Sequence, residues 1–178
     1  MNYFNELKRT MEWLGEQPKT IFIGQTVAGP GTFMYKTLLD IPIEKRLEMP
    51  INESFQMQFC IGVALAGIHI PICVYPRQNF LLLATADMTN MLDKIPAISE
   101  GEVIPKMIIR VASGPHKPVH PGYQHIGNYA EAFRNLFTTI KVVELEEPSD
   151  IFPAYEEAYN SEGVSLIIEE GNFYNEKR

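Results

Sequence analysis

Six short extended stretches, at residues 20–24, 46–50, 69–75, 106–112, 140–145 and 164–168, alternate with segments of helical spacing, and this alternation constrains the chain most. Strands that alternate with helices predict a sheet whose neighbours run the same way. Such a sheet must be covered twice, because each strand is apolar on both sides. The expected class is therefore α/β, a three-layer αβα arrangement with a mostly parallel sheet. Met107-Ile108-Ile109-Arg110-Val111 is the clearest strand. The helical expectations are 2–15, where Phe4, Leu7, Met11 and Leu14 recur at helical spacing, then 33–39, 79–92, 128–136 and 148–159. Pro148 opens the last of these, where a missing N–H costs nothing.

One further helix comes after Met49-Pro50-Ile51-Asn52-Glu53-Ser54, a strand end and tight connection carrying an acidic residue. From Phe55 to Gly67 it has little polar surface, with Cys60, Ile61, Val63, Ala64, Leu65 and Ala66 around Gly62. A helix apolar on nearly all sides is expected in the middle of the fold. Glu53 then sits on a rigid element at the carboxyl end of a strand, where open α/β sheets bind ligands.

With 178 residues the chain is within the range of one domain, and no repeat or linker divides it. A formal charge of -7 argues against nucleic-acid binding, which needs a surplus of Lys and Arg on one face. Cys60 and Cys73 lie in apolar runs without further ligands at metal spacing and read as reduced core residues. Neither a signal peptide nor a membrane-length apolar stretch is visible, so a cytoplasmic location is expected.

Three polar features fall at strand ends or in the loops after them: Glu53, Asn79-Phe80 and Gln124-His125. In a parallel sheet they could share one cleft. Each also has a plainer meaning. A Glu at a helix start favours the helix dipole, a Phe at helical spacing is usually core, and a loop histidine is usually solvated. Gly29-Pro30-Gly31 lacks the spacing of a phosphate loop and reads better as a turn. No nucleophile elbow supports a hydrolase.

Taken in order, Pro50-Ile51-Asn52-Glu53, the run from Gly62 to Gly67, Pro71-Ile72-Cys73, Asn79-Phe80 and Gln124-His125 resemble the pyrimidine-binding domain of thiamine-diphosphate enzymes. The likeness is above all to the beta subunit of the 2-oxoacid dehydrogenase decarboxylase component, with transketolase as a cousin. It covers about residues 20–174 and implies a single domain over 1–178: an N-terminal helix (1–19), sheet and helices (20–170) and a tail (171–178).

The resemblance also implies roles. Glu53 would hydrogen-bond the aminopyrimidine and share a proton with it, which a carboxyl can do and a Gln cannot. Phe80 would stack on that ring, with Asn79 and Gln25 also at the cofactor. His125 would face the substrate as proton donor or charge stabiliser, with His116 and His120 as alternatives in the same loop. Gln25 stands where the relatives carry an acid, and Arg77 or Gln78 where an aromatic residue often precedes Asn-Phe. No Gly-Asp-Gly occurs, so the diphosphate of thiamine diphosphate, with its Mg2+, is expected on a partner chain. The implied activity is decarboxylation of a 2-oxo acid by a split enzyme. Ketol transfer and a non-catalytic assembly role are the alternatives, and a homo- or hetero-oligomer is expected.

Overall fold

Strands buried on both faces can pair only inside a sheet that helices cover twice. A computed structural model, which describes residues 2–114 and 120–175, has this arrangement. Its strands are β1 (Thr20–Gly24), β2 (Arg46–Glu48), β3 (Ile70–Tyr75), β4 (Met107–Ala112), β5 (Lys141–Leu145) and β6 (Val164–Glu169). They form one six-stranded sheet in the order β2-β1-β3-β4-β6-β5. Every pairing is parallel, so the expected class holds and "mostly" becomes "wholly". All strand carboxyl ends therefore share one edge.

The helices are α1 (Tyr3–Glu16), α2 (Phe33–Lys36), α3 (Glu53–Ala66), α4 (Gln78–Leu81), α5 (Thr85–Asp87), α6 (Ile95–Ile98), α7 (Ala130–Leu136) and α8 (Pro148–Asn160). The Asn2 side chain caps α1 by accepting from the amides of Phe4 and Asn5. Asn52 caps α3 in the same way, accepting from Phe55 N, and Gly67 ends that helix at φ +69°, a conformation suited to glycine.

Side chains alternate across the strands and feed two cores. One holds Cys73, Tyr75, Ile109, Val111 and Leu166 against Met57, Cys60, Ile61, Met88 and Phe133. The other holds Phe22, Ile72, Ile108 and Ile167 against Leu7, Met11 and Leu14 of α1 and Ile151 and Tyr155 of α8. Both cysteines are free and buried, as expected.

Two expectations need correction. First, α3 does not lie in the middle of the fold: its inner face is buried, but Phe55, Phe59 and Leu65 are exposed. An apolar sequence cannot by itself tell a helix packed on all sides from one with a bare apolar face. Second, 79–92 is not one helix. It passes from α4 through a 3-10 turn and α5 into a π turn at Met88–Leu92. A π turn takes one residue more per hydrogen-bonded loop and rotates the residues beyond it to a new face. Asp93, just after it, is wholly buried and accepts from the amides of Thr138, Thr139 and Ile140 in the turn that leads into β5. Residues 171–175, within the expected tail, form a 3-10 turn with Tyr174 buried in the second core.

Tyr174 is held there by charge. Arg110 of β4 and Glu169 of β6 are fully buried and form a forked pair, Nε to Oε1 at 2.6 Å and Nη2 to Oε2 at 3.0 Å. Tyr155 Oη donates to Glu169 Oε1 at 2.5 Å and Tyr174 Oη donates to Oε2. Tyr3 Oη donates to Leu145 O and accepts from Glu170 N, each at 2.8 Å. Burial first, and then the Glu169 charge, raise the pKa of all three tyrosines.

Glu169→Gln leaves a buried guanidinium without its counter-charge and is expected to cost about 3 kcal/mol or more, read from the urea midpoint. The tyrosines add an alkaline limit. In the unfolded chain they release protons near about pH 10, while in the fold they keep them. Stability should be level below that pH and fall above it, and denaturant titration at rising pH checks this.

Candidate active site

Because the sheet is wholly parallel, Gln25 after β1, Glu53 after β2, Asn79 and Phe80 after β3, and His125 after β4 all come to its carboxyl edge. Glu53 begins α3 and is half-buried. Its main-chain carbonyl accepts a 2.7 Å hydrogen bond from Tyr75 Oη at the end of β3, so the start of α3 is fixed to the strand that leads to Phe80. Among the described residues no side chain hydrogen-bonds or ion-pairs with the Glu53 carboxylate.

Phe80 and His125 meet. Their ring centroids are 5.4 Å apart at 64°, an edge-to-face contact. Gln78, a residue whose part the sequence hid, brings their segments together. It is buried, donates from Nε2 to Asn128 Oδ1 at 3.1 Å and accepts from Tyr129 N at 2.6 Å. Gly114 sets the depth of the histidine turn: a Cβ there would lie 1.7 Å from His125 O. His120 is exposed, accepts at Nδ1 from Gly122 N and meets the Tyr123 ring. His116 lies outside the described residues. His69 is exposed ahead of β3, with Nδ1 3.3 Å from Lys19 O.

Buried polar atoms in folded proteins nearly always find partners. At this edge Gln25 Nε2, Arg77 Nη1, Asn79 Oδ1 and His125 Nδ1 are buried and have none. Such groups cost stability unless something else satisfies them. Asn79 Oδ1 and His125 Nδ1 leave unpartnered polar atoms beside the Phe80 ring, which suits a polar heteroaromatic ring. Three of the four belong to residues expected at the cofactor or substrate.

Among the described residues no hydrogen bond joins Gln25 to the others. The loop after it is held by Glu48, which the sequence did not single out. The Glu48 carboxylate accepts from the amides of Thr26, Val27 and Ala28 at 2.6, 2.8 and 2.7 Å. Thr26 takes φ +57° to allow it. Gly29-Pro30-Gly31 therefore comes after a loop that already holds an anionic group of its own chain. Among the described residues no group of three or more His, Cys, Asp or Glu side chains is placed to hold a metal ion.

No protein-family profile and no curated protein matches the chain. Among solved structures it is similar to a split-gene transketolase in an inactive beta4 tetramer, with a TM-score of 0.72 at 15% identity. The match covers 94% of this chain and 50% of that one, so the chain spans about half the length of its neighbour. The fold is thus transketolase-like. No helix among the described residues is long and apolar enough to cross a membrane.

Gly114→Ala should push the turn at Tyr123–His125 away from Phe80 while the sheet survives. The check is the ring-shifted His125 proton resonance: it should move toward its free value with far-UV circular dichroism unchanged. An unmoved resonance would contradict this account of the turn.

Proposed function

We propose that this chain is the pyrimidine-binding subunit of a split thiamine-diphosphate-dependent enzyme acting at a carbonyl carbon. The observation that carries the proposal is the Phe80–His125 ring contact beside the buried, unpartnered Asn79 Oδ1 and His125 Nδ1, at the edge where α3 presents Glu53. An aminopyrimidine fits this set, with a ring face for Phe80, an acceptor in Asn79, a donor in Gln25 and a carboxylate in Glu53. Nothing comparable among the described residues suits a diphosphate and its Mg2+, and we assign that half to a partner chain.

Thiamine diphosphate, when bound, supplies a nucleophilic carbon and an electron sink. The chain's own residues do the rest. Glu53 holds or releases a proton at a carboxylate oxygen, and the helix start pinned by Tyr75 keeps that oxygen in place. Phe80 orients the ring and excludes water from one face. His125 presents an imidazole to the substrate side, where its ring nitrogens can donate or accept a hydrogen bond. Of the two reactions open to such a site, ketol transfer is favoured over 2-oxo acid decarboxylation by the likeness to a split-gene transketolase. The Gln124-His125 pair is the feature that speaks for the decarboxylase.

A partner needs a surface, and α3 offers one. Phe55 and Phe59, with ring centroids 6.4 Å apart, lie exposed with Leu65 on a stripe beginning at the helix that carries Glu53. Docking there would close the cofactor edge against a second chain.

Two experiments test the proposal. The full chain is mixed with a chain from the same genome that carries Gly-Asp-Gly, and deuterium exchange at the thiazolium C2 is followed. Glu53→Gln should slow exchange by about 100-fold or more while cofactor still binds; unslowed exchange would sink the assignment. Phe59→Glu should shift the assembly toward smaller species in sedimentation without loss of helix content.

A further inference from the structure

We infer that a cavity on the same sheet edge receives the anionic end of the substrate, a carboxylate or phosphate, through Arg77. The inference rests on the functional reading above only for calling this ligand a substrate. The cavity has a volume of about 180 Å3 and is walled by the segments after β1, β3 and β6 and by the end of β4. Its lining includes Thr32, Pro76, Arg77, Ala112, Gly171 and Tyr174.

Arg77 is the reason to expect an anion. Its side chain forms no ion pair among the described residues, and its Nη1 is buried without a partner. Burial lowers the pKa of the group, yet a guanidinium does not lose its proton in a protein. The charge therefore stays and pulls against its surroundings. Arg77 as a whole is half-buried, but enclosing its Nη1 without a partner is costly, and a forked oxyanion is the ligand that best offsets this cost. Arg110 also has a buried Nη1 without a partner, but its guanidinium already has its carboxylate in Glu169. Arg77 has none, in a chain whose acidic residues exceed its basic ones by 22 to 15.

Position supports the assignment. Arg77 is the N-cap residue of α4, whose Asn79 and Phe80 are the proposed cofactor contacts. A substrate whose reacting carbon lies by His125 and whose far end lies by Arg77 would span this edge. The opposite wall is fixed, because Tyr174 is tied to Glu169. The cavity is thus preformed, which lowers the ordering cost of binding. Its size suits an oxyanion group and a short stem, not a nucleotide.

The test needs neither cofactor nor partner. Full-length chain labelled with 15N-arginine is titrated with inorganic phosphate and, separately, with acetate at constant ionic strength. The expected result is a saturable shift of one guanidinium Nε–Hε signal, absent from Arg77→Gln. Arg77→Lys should bind about tenfold more weakly, since an ammonium keeps charge but not the fork. Preference for phosphate would indicate a phosphorylated ketose and preference for acetate a 2-oxo acid. In the assembled enzyme Arg77→Gln should raise KM about tenfold or more for an anionic substrate and leave that of an uncharged analogue unchanged. No saturable shift with either anion, or the same shift in Arg77→Gln, would overturn the inference. Because the titration uses no thiamine diphosphate, such a failure is distinct from failure of the Glu53 experiment.

Discussion

A guanidinium–carboxylate pair from which water is excluded joins β4 to β6, and much of the molecule is arranged to keep its carboxylate satisfied. Such a pair adds little net stability beside an apolar alternative, because desolvation takes back most of the attraction. What it supplies is specificity. Glu169 takes two bonds from Arg110, one from Tyr155 of α8 and one from Tyr174 of the last turn. Tyr3 brings α1 to the same corner through Leu145 and Glu170. One carboxylate thus sets the docking of α8 and of the final described segment, and α1 is docked beside it through main-chain groups.

The ligand edge inherits this order. Tyr174 is a wall of the Arg77 cavity, so the buried pair shapes a surface it does not touch. On the other face Tyr75 holds the start of α3, Gln78 holds the histidine turn to α4, and Gly114 lets that turn come close. Three unrelated contacts bring Glu53, Phe80 and His125 to one edge. A parallel sheet does the coarse placement and these contacts do the fine placement.

The strands were legible because continuous apolar runs have few uses other than a buried strand, and 20–24 coincides with β1 end to end. The 78–92 segment was not, because its shape answers to partners far along the chain. Asp87 accepts from Ser54 and Gln58 of α3, and Asp93 accepts from the turn that leads into β5, and these pull the helix through a π turn. The outer face of α3 was misjudged because hydrophobicity alone carries no information about what covers it. Glu53, Phe80 and His125 were singled out through resemblance of ordered motifs, and the structure brings Phe80 and His125 into contact, whereas spacing alone left them ordinary. Gln78, Glu48 and Gly114 gave no local signal, since each acts on backbone that is distant in sequence.

The two border strands differ from the rest in a way that limits how this molecule can be enlarged. β2 has three residues, with Arg46 and Glu48 among them, and β5 carries Lys141 and Glu144. Short or charged rims resist addition of a foreign strand. Association by lengthening the sheet is thereby discouraged at both sides, which protects against open-ended polymers and leaves the helical layers as the surfaces through which copies or subunits can meet.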